Sequence, residues 1–128
     1  MTARVVVSDH AFPDVRWERE VAERFRAEFA EWSCASEAET LEALCGAHVA
    51  LVNLAPVTRS VLGVLARHAS VIRYGVGYDN VDVVAARELG VQVANVPDYG
   101  ADTVADHATA CLLALLRRLG GYDRAVRE

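Results

Sequence analysis

An open parallel α/β sheet with helices on both faces is the fold class that this 128-residue sequence predicts. Three observations predict it. Short β-branched runs alternate with helix-periodic segments along the whole chain. The runs are apolar without strict alternation, as strands buried on both faces read. Several helical segments open on Ser, Thr or Asp and stop at Gly.

The elements follow in order. "RVVVSD" (4–9) is a buried strand ending in a polar turn. "DVRWEREVAERFRAEFA" (14–30) repeats Val21, Phe25 and Phe29 every four residues among Glu and Arg. That spacing predicts an amphipathic helix, with Pro13 and Asp14 at its start. "WSCA" (32–35) gives a weak strand signal. "SEAETLEALCG" carries an S-x-x-E capping box in Ser36 and Glu39 and stops at Gly46. "HVALVNLAP" (48–56) is the third strand, closed by Pro56, and "TRSVLGVLARH" is a short helix capped by Thr58. "SVIRYG" (70–75) is the fourth strand. "NVDVVAARELG" is a helix with Asp79 or Asn80 as its cap, Asp82 sharing in the capping, and Gly90 as its stop, and "VQVANVP" (91–97) is the fifth strand. "DTVADHATACLLALLRRLGG" is a helix with a Thr103-x-x-Asp106 capping box, and Arg117 and Arg118 oppose the macrodipole in its final turn. With right-handed crossovers the order predicts a flavodoxin-like open parallel five-stranded sheet over residues 1–100. A long C-terminal apolar helix follows over 101–128.

Composition narrows the functions. A net charge of -5 with no basic stripe argues against a nucleic-acid partner. No window reaches the length of an apolar membrane span, and the N-terminus lacks a signal-peptide pattern, so a cytoplasmic protein is expected. Cys34, Cys45 and Cys111 have neither metal nor redox spacing and are expected to be buried thiols; no metal site is expected. Lysine is absent, which excludes a Walker A loop and Schiff-base chemistry. A phosphoacceptor receiver domain shares the topology. It is excluded because Asn53 stands where the acceptor Asp belongs and no Lys exists to close on a phosphate.

The turn Gly75-Val76-Gly77 poses the central question. A dinucleotide loop needs Gly-x-Gly-x-x-Gly after the first strand. Here Asn80 replaces the third glycine, and the turn follows the fourth strand. Two other readings stay open. The glycines let backbone N–H groups form an anion nest at a strand's C-terminal edge, with Arg73 adding a bidentate charge. Alternatively they only permit a tight strand-to-helix turn.

The stretch "VIRYGVGYDNVDVVAARELGVQVANVPDYGADTVADHATACLLALLRR" resembles the substrate-domain end of D-isomer-specific 2-hydroxyacid dehydrogenases. It is most similar to the branch of phosphoglycerate dehydrogenase and the C-terminal-binding-protein corepressors. G-x-G-x-D-N-V-D, then N-V-P, then T-V-A-D-H at these spacings carry the resemblance. It is dense over 70–119; upstream only "ALVNLAPVT" and the fold pattern agree.

The resemblance implies a flavodoxin-like substrate domain and a separate NAD-binding domain, with the active site between them. It implies that the amides of Gly75, Val76 and Gly77 hold the carboxylate of a small 2-oxo or 2-hydroxy acid, with Arg73 beside them. Asn53, Leu54 and Ala55 would line the substrate pocket, and Val76 and Val104 would touch the nicotinamide side of NAD. The family's NAD loop and its catalytic Arg, Glu and His match nothing here, so the chain alone is expected to be inactive, with weak or no NAD binding. The family also returns a C-terminal segment onto this domain, and without it apolar surface would stay open. His107 is expected to be structural or cleft-lining, and His10, His48 and His68 show no pairing logic. "ATACLLALL" (108–116) is apolar all round, which predicts a partner for that helix: the family's second domain, or a second copy in a homodimer through 102–119. The competing reading is a stand-alone, non-catalytic module that binds a small carboxylate, or a protein through this helix.

Overall fold

The structure, a computed structural model, describes residues 2–128. They fall into two compact units, one ending at Pro97 and one spanning Asp98–Glu128.

The first unit holds β1 (Arg4–Val7), α1 (Arg16–Arg24), β2 (Glu28–Glu31), α2 (Glu37–Leu44), β3 (Val49–Val52), α3 (Arg59–Gly63), β4 (Ser70–Arg73), α4 (Val83–Leu89) and β5 (Gln92–Ala94). The strands form one parallel sheet in the order β2-β1-β3-β4-β5. This is the flavodoxin-like order that the alternation predicts. Side chains alternate across the sheet with period two. Val6, Ala50, Val52 and Val71 pack with Leu44, Val61, Leu62, Ala85 and Ala86 from α2, α3 and α4. Val7 and Leu51 turn to the opposite face with Val5, Val49 and Ile72.

That second face is thinly covered. A groove of about 460 Å³ runs between α1 and the strands, lined by Trp17, Val21, Phe25, Val5, Leu51 and Ile72 among others. Phe25 is 76% exposed and Trp17 is 65% exposed, far above what a closed core leaves. Apolar surface is therefore open on this face.

Local signals worked where a cap or a glycine marks the end. Ser36 and Glu39 form the full capping box of α2, and the Thr58 hydroxyl accepts the Val61 N–H at the start of α3. Gly90 ends α4 in the left-handed region at φ 70°.

Several expectations need correction. The helix predicted over 14–30 stops at Arg24, and the weak strand placed at 32–35 lies instead at 28–31. Arg26 turns left-handed (φ 54°), and the N–H groups of Arg26 and Ala27 donate to the carbonyls of Glu23 and Ala22. These are the two bonds of a Schellman stop, made without glycine. Phe29 then pairs opposite Val5 in the sheet rather than extending the helical stripe. The cap of α4 is Asp82, whose carboxylate accepts the Ala85 N–H. The three thiols also divide: Cys34 is buried as expected, whereas Cys45 and Cys111 are exposed.

The second unit holds α5 (Ala101–Leu116) and α6 (Leu119–Arg127). Gly100 caps α5 without a side-chain bond, so Thr103 lies inside the helix and forms no capping box. Arg118 adopts φ 52° and breaks the expected single helix in two, and no basic side chain occupies the last turn of α5. Within this unit Leu112, Leu113, Leu115 and Leu116 are exposed. Among the described residues no helix is long and apolar enough to cross a membrane.

Candidate functional site

In an open doubly wound sheet, ligands bind beyond the carboxyl ends of the strands, where the strand order reverses. Here the order reverses between β1 and β3. Three segments leave the sheet at that edge: Ser8-Asp9 after β1, Asn53-Leu54-Ala55 after β3, and the Arg73–Gly77 stretch that closes β4.

The turn after β4 has an asymmetric hydrogen-bond pattern. Its carbonyls are tied down: Val96 N–H donates to Gly75 O (3.2 Å), and Asn95 Nδ2 donates to Val76 O (2.7 Å). Among the described residues, the N–H groups of Gly75, Val76 and Gly77 have no protein acceptor. Unpaired donors beside anchored carbonyls leave the turn free to meet an anion.

Arg73 sits over this turn. A Cβ on Gly75 would fall 1.6 Å from Arg73 Nη1, so the guanidinium occupies the space that glycine leaves. Arg73 Nε is buried with no hydrogen-bond partner among the described residues. Such an orphaned donor is costly unless a ligand meets it. Between Arg73 and Gly75, the Tyr74 hydroxyl donates to Glu18 Oε1 (3.0 Å), and its ring meets Phe12 edge-on. Burial, then the Glu18 carboxylate, pushes the Tyr74 phenol well above its ordinary value, so it stays protonated and holds the turn to α1.

The second loop is fastened differently. The Asp9 carboxylate accepts the N–H groups of Asn53 (2.9 Å), Leu54 (2.6 Å) and Ala55 (3.1 Å). Buried Ser8 donates its hydroxyl to the same group at 2.8 Å. On the other side, Asn80 Nδ2 donates to Asn53 O (3.3 Å) and Ala55 O (2.8 Å). Asn80 thereby links the two loops. The Ala55 side chain is buried in the core, whereas Leu54 is 70% exposed.

Of the residues singled out in the sequence, Arg73, Gly75, Val76, Gly77, Asn53, Leu54 and Ala55 thus share one sheet edge. Val104 belongs to α5 in the second unit. Sequence reasoning missed Asp9 and Asn95, and assigned Asn80 to helix capping. The Asn of N-V-P was the available signal for Asn95; nothing local marked Asp9. Two histidines that showed no pairing logic do have partners. His10 contacts Glu31 Oε1 (3.2 Å) and Phe12 O (3.1 Å), and His48 Nδ1 accepts the Arg4 N–H (3.2 Å). His107 Nε2 lies 3.6 Å from Cys111 Sγ, one helical turn on. Among the described residues no cluster of His, Cys, Asp or Glu could hold a metal ion.

A dinucleotide pyrophosphate does not fit the 75–80 turn. The helix that follows begins with the Asp82 carboxylate on its own N-terminal amide. A second anion there would meet like charge where a nucleotide helix offers free N–H groups. Asn80 is also committed to the neighbouring loop, in the position where close helix packing needs glycine.

The D-isomer specific 2-hydroxyacid dehydrogenase catalytic domain matches residues 5–126. The chain belongs to this family. Glyoxylate reductase from Korarchaeum cryptofilum is 40% identical to it over 84 residues, covering 66% of this chain and 25% of the relative. Hydroxyphenylpyruvate reductase from Plectranthus scutellarioides is 33% identical over 118 residues, covering 87% of this chain and 36% of the relative. The NAD+-bound 3-phosphoglycerate dehydrogenase of Entamoeba histolytica superposes with a TM-score of 0.73 at 20% identity. That match covers 89% of this dehydrogenase-family chain and 39% of the other. The chain therefore spans about a quarter to two fifths of the proteins it matches here.

Proposed function

We propose that this chain is the substrate-side part of an NAD-dependent D-2-hydroxyacid dehydrogenase, and that its first unit holds the carboxylate of a small 2-oxo or 2-hydroxy acid. The observation that carries the reading is the turn itself. Among the described residues its N–H groups are without protein acceptors, its carbonyls are anchored, and a guanidinium with a buried orphan donor lies against Gly75. A carboxylate there completes both sets of donors. Charge-assisted bonds contribute about 1.5–3 kcal/mol each, so a few of them support roughly millimolar binding of a two- or three-carbon acid. Leu54 and the side chain of Asn53 are proposed to line the same site.

NAD supplies the hydride chemistry in the complete family protein, and Val76, 49% exposed at the turn, is the residue of the first unit proposed to face its nicotinamide. Val104 is proposed to do so from α5. None of the four histidines matches the family's catalytic acid/base, so binding without turnover is expected of this chain alone. The open groove beside α1 is proposed to receive the returning C-terminal segment that the family resemblance implies. A binding-only module remains a second reading. The exposed leucines of α5 favour it, since they offer a surface for a partner or for a second copy of the chain.

The test is an NMR titration of the 15N-labelled chain with glyoxylate and with NADH. Glyoxylate should move the amides of Gly75, Val76 and Gly77, and NADH alone should leave the spectrum nearly unchanged. Shifts confined to other residues would defeat the carboxylate assignment. Tight NADH binding would defeat the claim that the cofactor is held elsewhere.

A further inference from the structure

We propose that Asp9 and Asn80 are positioning residues that clamp the Asn53–Ala55 loop against the Gly75–Gly77 turn and so set the width of the carboxylate pocket. The inference rests on the function proposed above and names what holds that site in shape.

The backbone of the loop is almost fully accounted for. All three of its N–H groups go to Asp9, and the carbonyls of Asn53 and Ala55 go to Asn80. The Asp9 carboxylate divides its work. Oδ1 takes Ser8 and Asn53, and Oδ2 takes Leu54 and Ala55. A carboxylate carries acceptor lone pairs on both oxygens. Asn80 is fastened through its main chain as well: its carbonyl accepts the Val57 N–H (2.8 Å), and Val57 O accepts the Asp82 N–H (2.9 Å). A bridge between Val57 and Val81 completes this zipper.

The arrangement has a chemical consequence. The 53–55 loop is itself an amide nest, and its anion is internal. Its N–H groups are therefore withheld from substrate, and the loop meets ligand through the Asn53 and Leu54 side chains. The amides of 75–77 stay available, so an incoming carboxylate has one nest open to it and one already filled.

Isosteric changes break the clamp with little change in volume. Asp9→Asn keeps one acceptor oxygen, so its NH2 donor is set either against the N–H groups of Leu54 and Ala55 or against that of Asn53. Asn80→Asp sets a carboxylate against two carbonyl oxygens. The experiment is amide hydrogen exchange on the full chain, followed by glyoxylate titration read at Gly75–Gly77. Exchange of Leu54 and Ala55, or of Asn53 if the Asn oxygen faces the other two, should accelerate about 10-fold or more in Asp9→Asn, while core amides of β1 and β4 keep their rates. Glyoxylate should bind about 10-fold more weakly to both variants. In Asp9→Ala, added formate should fill the vacated nest and slow exchange at Leu54 and Ala55 again.

Unchanged exchange at 53–55 overturns the clamp, and so does an unchanged glyoxylate affinity alongside a loosened loop. If Asp9→Asn unfolds, core exchange will show it, and Asn80→Ala, which removes two bonds without adding repulsion, carries the same test. If the unmodified chain fails to bind glyoxylate, the proposed function falls and the clamp is still judged by exchange and formate rescue.

Discussion

Replacing Gly75 by alanine separates binding from folding at this site. The new Cβ would lie 1.6 Å from Arg73 Nη1 and 2.9 Å from Arg73 Cζ, and no backbone atom is among its nearest neighbours. Restoring an ordinary 3.4 Å contact moves the guanidinium by ~1.8 Å, which is enough to break a bidentate hydrogen bond. The displaced group is the far end of a flexible side chain, and Gly75 has no positive φ that Ala would strain. Stability should therefore change by less than about 1 kcal/mol. Loss of the guanidinium contact should weaken carboxylate binding by about 1.5–3 kcal/mol, roughly 10- to 150-fold. Thermal melts and glyoxylate titrations of Gly75→Ala measure the two quantities separately. An unchanged affinity would refute the role given to Arg73. A large loss of stability would show that Gly75 serves the fold instead.

Three further outcomes follow from the structure. Arg26→Gly should stabilise the first unit by about 0.5–1 kcal/mol in urea unfolding, because it relieves a non-glycine residue at φ 54°; a loss of stability would contradict the Schellman stop. A thiol reagent should label exposed Cys45 quickly and Cys34 slowly, since Cys34 is buried and burial, then the Glu39 and Asp9 carboxylates, raise its thiol above the ordinary range; equal rates would contradict that placement. The Glu39 carboxyl is held below its ordinary value by the Ala35 N–H, then by the side chain and N–H of Ser36. A depressed folded-state value contributes stability above the ordinary carboxylate range and loses it as pH falls through the folded value. Thermal melts of wild type and Glu39→Ala should therefore differ at neutral pH and converge in acid.

What the sequence determined by itself is whatever local chemistry encodes. Ser36 with Glu39, Thr58 and Gly90 mark helix ends through bonds or backbone angles that their own side chains allow, so they were legible in one dimension. The alternation of strands and helices was equally legible, because handedness leaves few ways to wind it. The departures arise where local signals are silent or misleading. Val21, Phe25 and Phe29 keep a helical interval, yet pairing of Arg4–Val7 with Glu28–Glu31 takes the last of them into the sheet. Arg26 ends α1 with no glycine to announce it, and Asp82 rather than Asp79 or Asn80 takes the cap because Asn80 is drawn to the neighbouring loop.

The site divides in the same way. Gly75-Val76-Gly77 and Arg73 stood out in the sequence because glycine spacing and an isolated charge are visible there. Asp9 did not, because its meaning depends on residues 44 to 46 positions away. Only the strand order, which sets β1 beside β3 at the point of reversal, brings that carboxylate under the Asn53–Ala55 amides. Which groups of each loop stay unpaired was likewise decided by tertiary structure, since a hydrogen bond is satisfied in three dimensions or not at all.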